Sequence, residues 1–406
     1  MTTEKNTQEA IDPSEDNPEQ NEKNTTKPDF NFSSTFSDNF PGILKSLNIS
    51  LAVTSYQSKR LFFVRTDGEV IDTNFKHFPR PMGVYADQER LTLGTLTQVI
   101  DFRRNDGILE QLQNKDFDAE EKLTKKVLPK QKKEQNEALK QQQKIQQIEF
   151  KKADALFIPR ATLTTGMINI HDIAWGDEGL WVVNSTFSCL ATLSPDHSFI
   201  PRWKPHFISE LSPEDRCHLN GMAMRDGKPA YVTTFNKYNN RDSWHKSTEF
   251  DGTLMDVETN KILVDGLCMP HSPRYHEGKV YYCDSGKGLV CSYDPETGLS
   301  KTLIKLQGFP RGMDFYGPLM FVGLSRVRAT DVKRPAPISK EFDETFCGIR
   351  VIDLENCATI ASIDFQGDID QIYDIAVVPD ACSPDLIEPG NYQARHIFDY
   401  PPLAKE

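Results

Sequence analysis

The sequence has no stretch approaching the ~20 consecutive apolar residues that cross a bilayer, so no membrane span is expected. It has no excess of basic residues either: 47 Lys and Arg stand against 59 Asp and Glu, a formal net charge of −12. That balance gives no electrostatic footprint for following a phosphate backbone, and no nucleic-acid partner is expected. No basic segment followed by an apolar run marks a secretory signal, and none of the eight cysteines stands in a CxxC pair. The reading is a cytoplasmic protein with buried or free thiols, without a cysteine zinc cluster or disulfide framework. GxGxxG, Walker, GxSxG and HExxH motifs are also missing, which lowers the nucleotide-binding, serine-hydrolase and zincin readings.

What is present is a repeat. A phrase built from an apolar strand start, a Gly- or Asp-containing turn and a second apolar strand occurs six times. Its copies begin at Met82, His171, Asn220, His271, Arg311 and Tyr373. Second strands such as Leu180 to Asn184, Ala230 to Thr234 and Val280 to Asp284 are rich in β-branched and aromatic residues. Most copies recur at the ~40–60 residue spacing of four-stranded propeller blades. The copy at Tyr373 lies too near the end to build a whole blade, whereas Ser50 to Tyr56 and Arg60 to Val64 form a strand pair with no phrase of their own. The expected fold is therefore an all-β, six-bladed propeller whose terminal strands complete one another's blade, removing exposed edges.

Two regions fall outside the repeat. Residues 1–40 carry nine acids against three lysines and little to bury, so they read as a disordered tail. The long interval after Gly83 contains a Lys-, Gln- and Glu-rich insertion at residues 108–152, in which Glu134 to Phe150 favours a protruding helix. The propeller is placed at 41–390, with a C-terminal tail at 391–406.

Aligning the six phrases puts Met82, His171, Asn220, His271, Arg311 and Tyr373 in one column, followed by Gly83, Asp172, Gly221, Ser272, Gly312 and Asp374. The innermost strand of each blade lines the propeller channel, so the first column converges on the axis, and His218 joins the same face by strand alternation. His171, His218 and His271 are candidate ligands for one divalent metal, zinc, manganese or iron. Alternatively they line a wet polar channel. Arg311, between Pro310 and Gly312, either anchors an anion in bidentate fashion or pairs with Asp172 or Asp374. Tyr373 either donates a proton or packs with its hydroxyl tied up. Asn220 and Arg160 are further substrate-binding candidates. Asp215 either orients His218 as a base or pairs with Arg216, and Trp203 and Trp244 are the better candidates for ring platforms.

The phrases Ile170-His171-Asp172-Ile173-Ala174-Trp175-Gly176, Pro201-Arg202-Trp203-Lys204-Pro205, Asp215-Arg216-Cys217-His218-Leu219-Asn220-Gly221 and Met269-Pro270-His271-Ser272-Pro273-Arg274 resemble a bacterial family of conserved hypothetical proteins, a domain of unknown function. The resemblance covers about residues 50 to 390. It implies the propeller fold and no activity. More distantly the ring resembles the gluconolactonase and strictosidine-synthase group and the peptidylglycine amidating lyases, which place a metal at the axis. The three-histidine pattern of the lyases fits His171, His218 and His271 better than the acidic and Asn ligands of the lactonases.

The functional expectation is a metal-assisted lyase or hydrolase acting on a small anionic substrate at the channel mouth. Arg311 would hold the anion, Asp172 and Asp374 would orient the histidines, and Tyr373 would serve as proton donor. The alternative is a non-catalytic scaffold that binds a protein or glycan.

Overall fold

The computed structural model describes residues 30–114, 144–246, 249–327, 335–391, 393–394 and 397–403. Residues 1–29 and 115–143, on which most of the expected tail and insertion fall, lie outside them. The described residues form six sheets around an axis, each built on four antiparallel strands. Blade two consists of Val84–Ala86, Arg90–Gly94, Gln98–Arg104 and Ala155–Thr164. Blade three follows with Ile170–Gly176, Gly179–Asn184, Cys189–Ser194 and His197–Trp203, and blade four with Leu219–Arg225, Lys228–Thr234, Gly252–Asp256 and Lys261–Leu267. Blade five takes Pro270–His276, Lys279–Asp284, Leu289–Asp294 and Leu299–Lys305; blade six takes Phe309–Tyr316, Leu319–Ser325, Gly348–Asp353 and Ala358–Phe365.

Blade one closes the ring as expected. Its innermost strand is the C-terminal Asp374–Pro379, paired with Ile49–Ser55 in a continuous register from Ile49 against Pro379 to Thr54 against Asp374. Arg60–Thr66 and Ile71–His77 complete it. The two neighbouring blades carry a fifth, outer strand each. Ser34–Phe36 adds antiparallel to blade six, and Pro384–Leu386 adds parallel to blade two. Both ends of the chain thus cover sheet edges flanking the seam, protecting backbone groups that would otherwise be open to pairing.

Local chemistry sets the outer hairpins. In blades four, five and six an aspartate at the end of the third strand accepts a backbone N–H in the following turn: Asp256 from Thr259, Asp294 from Glu296 and Asp353 from Glu355. The residue four positions on, Asn260, Gly298 or Cys357, adopts a left-handed backbone that turns the chain back. The apolar faces of adjacent blades then pack pairwise, for example Val232 and Met255 of blade four with Trp181 and Val183 of blade three. Seven of the eight cysteines are buried in these layers, and all eight are free thiols.

Two boundaries differ from expectation. The polar tail does not extend to residue 40, because Phe32 and Phe36 pack against the core cluster between blades one and six and Asn31 accepts and donates backbone contacts at Asp368. Burial of two aromatic rings outweighs the low apolar content around them. The described ends of the insertion do not protrude. Helix Asp106–Gln113 and residues 144–152, also helical, dock through Ile108, Leu109, Leu112 and Phe150 onto Leu156 and Ile158 of blade two. Among the described residues no helix is long and apolar enough to cross a membrane.

Deleting residues 1–37 is expected to lower the unfolding free energy by about 2–4 kcal/mol, from the loss of Phe32 and Phe36 burial. Urea unfolding followed by tryptophan fluorescence measures this, and an unchanged midpoint would show that the outer strand adds nothing to closure.

Candidate functional site

The alternation in the second column has a packing cause. A Cβ on Gly221 of blade four would stand 2.4 Å from Pro273 of blade five and 3.3 Å from the Asp172 carboxylate of blade three. One on Gly312, whose φ is +75°, would lie 2.9 Å from the Asp374 backbone. Glycine therefore stands where a neighbour's polar residue crosses the blade interface. The polar members are staples: Asp172 accepts from Met222 N at 3.0 Å, Asp374 from Val84 N at 3.2 Å, and Ser272 from Gly312 N at 2.9 Å. Asp314 of blade six does the same for Val377 N at 2.7 Å.

Arg274 of blade five reaches across the axis into this ring. Its guanidinium donates to Asp172 of blade three at 2.7 Å and to Asp374 of blade one at 3.4 Å, while Nε donates to the Met313 carbonyl at 3.0 Å. Burial and the neighbouring Asp172 hold the Asp374 carboxyl above its ordinary range, with Arg274 opposing them. The two aspartates are thus committed to Arg274 and to backbone N–H groups, a correction to the expectation that they orient the histidines. A buried carboxylate needs a cation and donors more than a neutral imidazole can supply.

The histidines are oriented by other partners. Nδ1 of His171 lies 2.9 Å from the Asn169 carbonyl and 2.7 Å from Ser185 Oγ. His271 repeats the arrangement with the Met269 carbonyl at 2.9 Å and Ser285 Oγ at 3.0 Å. Each serine donates its only proton onward to the next blade, Ser185 to the Leu219 carbonyl and Ser285 to the Pro310 carbonyl, so toward the imidazole it accepts. Both Nδ1 atoms therefore carry hydrogen and both Nε2 atoms hold a lone pair while the rings are neutral. Burial holds both rings well below the usual histidine range, helped at His171 by His218 and Arg311 and at His271 by Arg311 and His218. Asn169 and Met269, which present the orienting carbonyls, both have left-handed backbones, as do Asp215 and His218. Such strain in non-glycine residues clusters at sites of function.

His218 Nδ1 lies 2.7 Å from Asp215 Oδ2, which also accepts from Trp244 Nε1 at 3.0 Å. Arg216 turns away to Glu210 and Glu214, so of the two readings of Asp215 the structure adopts the pairing with His218. The His218 ring packs at 4.7 Å from His171, 4.1 Å from Trp244 and 4.5 Å from Phe235, and Phe235 in turn faces His271 at 5.1 Å. Trp203 sits instead at the end of the outermost strand of blade three, packed in the core between blades three and four.

Arg311 stacks on Tyr373, its guanidinium carbon 3.7 Å from the ring centroid, with Tyr56 at 6.0 Å. Among the described residues it makes no ion pair, so pairing with Asp172 or Asp374, one of its two expected roles, is taken by Arg274. Tyr373 and Asn220 are each 4 % exposed, and the hydroxyl of one and the amide nitrogen of the other have no hydrogen-bond partner among the described residues. Burial raises the phenol's pKa, against the opposing charge of Arg311, so it stays protonated. Met82 contributes its carbonyl to Thr54 at 2.6 Å, another bond between blades.

Arg160 is not at the axis. It lies on the fourth strand of blade two, past the stretch covered by Pro384–Leu386, exposed and paired with Asp399 at 2.8 Å; the Pro before it marks an uncovered strand edge, not a loop at the mouth. Sequence reasoning missed Arg80, whose charge acts on His171. Its signal was legible: Phe78-Pro79-Arg80 repeats Phe309-Pro310-Arg311. It likewise missed the serines that stand fourteen residues after His171 and His271. Three imidazoles with fixed Nδ1 partners match the way metal-bound histidines are oriented. Yet among the described residues no three His, Cys, Asp or Glu side chains are grouped closely enough to hold a metal ion, and no chemistry here is routed through one.

Replacing Arg274 with Met leaves two buried carboxylates uncompensated and is expected to destabilise the fold by about 3–5 kcal/mol. Adding Asp374→Asn should recover part of that loss in chemical unfolding. A second expectation concerns pH. The folded histidines bind protons less readily than the unfolded chain, so their contribution is complete above about pH 6.5 and is lost as pH falls below it. Wild type should lose up to about 1.4 kcal/mol per pH unit for each histidine relative to a His171→Gln/His271→Gln variant; parallel stability curves between pH 7 and 5 would contradict the assignment.

No curated protein matches the chain. Among solved structures it is similar to a chain in the crystal structure of a nidogen/laminin complex, with 9 % identity and a TM-score of 0.46 over 82 % of this chain and 98 % of that one. The model of the family described as Domain of unknown function (DUF4915) matches residues 38–126 and 122–387. The chain, a six-bladed propeller with a stapled polar axis, belongs to that family.

Proposed function

We propose that the histidine-lined mouth binds a small anionic molecule and acts on it by general acid and base chemistry of lyase or hydrolase type. The observation that carries this reading is the state of Arg311: a half-buried guanidinium, stacked on Tyr373, with no carboxylate partner among the described residues. An unpaired cation at a partly desolvated position is a binding site for an anion. Arg80 adds charge of the same sign, and the nearby carboxylates Asp172 and Asp374 are already engaged by Arg274 and by backbone N–H groups.

His218 supplies the base. Asp215 holds its Nδ1, so Nε2 takes a proton from substrate or water and the resulting imidazolium faces a carboxylate that stabilises it. Tyr373, kept protonated by burial, gives its proton to the leaving group, and the proton held by the His218 imidazolium then passes through water to the phenolate, resetting both groups. The walls made by Phe235, Phe309 and Trp244 limit water around the imidazoles.

Calorimetric titration with small carboxylates and phosphate tests the binding step. Arg311→Ala is expected to weaken anion binding by about tenfold or more with the fold intact, since a charge-assisted contact contributes ~1.5–3 kcal/mol. His218→Ala is expected to preserve binding and abolish turnover. Wild-type protein that binds no anion, or an Arg311→Ala protein that binds equally well, would overturn the reading in favour of a scaffold. Elemental analysis of untagged protein decides the metal: near-stoichiometric zinc, manganese or iron that disappears in the His171, His218 and His271 alanine variants would add Lewis-acid assistance to this scheme.

A further inference from the structure

The hydrogen-bonding polarity of the mouth narrows the ligand beyond a bare anion. His171 and His271 each offer a lone pair at Nε2, because Nδ1–H is held by a backbone carbonyl and a serine that has no proton left to give. They are therefore acceptors, and a ligand beside them must bring hydrogens. Opposite in sense are two donors buried without an acceptor among the described residues, Asn220 Nδ2 and the Tyr373 hydroxyl. A buried donor left without an acceptor is costly, so these two groups point to oxygen atoms on whatever occupies the axis.

A simple carboxylate supplies acceptors alone; it would satisfy Arg311, Asn220 and Tyr373 and set its oxygens against the imidazole lone pairs. Inorganic hydrogenphosphate carries a single O–H, enough to meet one imidazole and not both. A neutral polyol would supply hydroxyl protons and leave Arg311 unpaired. We propose that the ligand is a hydroxycarboxylate, whose carboxylate lies on Arg311 while its hydroxyl groups donate to Nε2 of His171 and His271 and accept from Asn220 and Tyr373. This rests on the anion-binding reading above and goes further by requiring donors and acceptors in one small molecule.

Matched probes test it on the full-length protein by calorimetry at pH 7.5: glycerate against propionate and glycerol, tartrate against succinate, and inorganic phosphate. Glycerate and tartrate are expected to bind about tenfold or more tightly than propionate and succinate, the worth of one or two satisfied buried hydrogen bonds. That preference should collapse in His171→Phe and His271→Phe, which keep a ring and lose the acceptor, with folding checked by circular dichroism. Equal affinity within each matched acid pair, or phosphate binding more tightly than glycerate, would overturn the hydroxycarboxylate while leaving anion binding in place. Binding of none of the acids, or of glycerol as tightly as glycerate, would overturn both. Should the phenylalanine variants fail to fold, the wild-type ranking alone decides.

Discussion

The contact of Arg274 with Asp172 and Asp374 is the constraint on which the rest of the structure depends. It joins blades five, three and one across the axis, and the same two carboxylates fix blade four to blade three and blade two to blade one through backbone N–H groups. A propeller has few covalent or sheet contacts between blades, so its rigidity at the axis comes from such side-chain bonds. Placing two carboxylates there without a cation would be prohibitive; with Arg274 they become the scaffold that sets where the histidines stand. The site inherits its electrostatics from that arrangement. Because the acids are spent on structure, Arg311 and Arg80 dominate the mouth.

The serines Ser185 and Ser285 show how closely structure and site are joined. Each completes a bond between blades and, in doing so, fixes the tautomer of a histidine. The polarity of the imidazole edge is therefore set by the packing of the next blade. Ser325 continues the series by donating to the Ile372 carbonyl at 2.9 Å, and it follows Arg311 by the same fourteen residues. In that blade the partner at the column is a guanidinium that needs no tautomer, so the serine serves closure alone.

Closure itself divides its work between the termini. The C-terminal strand Asp374–Pro379 enters the innermost position of blade one, bringing Tyr373 and Asp374 to the axis, while the outer additions Ser34–Phe36 and Pro384–Leu386 cover the blades on either side. Both ends of the chain are thereby needed before the site is whole, since Tyr373 meets Arg311 of blade six and His171 of blade three only in the closed ring.

By itself the sequence determined the blade count, the closing partner and the axial column. Strand alternation and turn chemistry are local, and a repeat writes them six times over, so Met82, His171, Asn220, His271, Arg311 and Tyr373 could be aligned from spacing alone. It also placed glycine against Asp or Ser in the next column, though not the reason. Tertiary structure decided who pairs with whom. That Arg274 and not Arg311 meets Asp172 and Asp374, that Arg160 faces outward to Asp399, and that Phe32 and Phe36 order a polar segment all depend on distances between residues tens to hundreds of positions apart; Asp215 holds His218, only three positions on, but with Trp244 from a distant loop on the same carboxylate. Electrostatic and hydrogen-bond energies fall steeply with distance and depend on burial, and those two quantities exist only once the ring has closed.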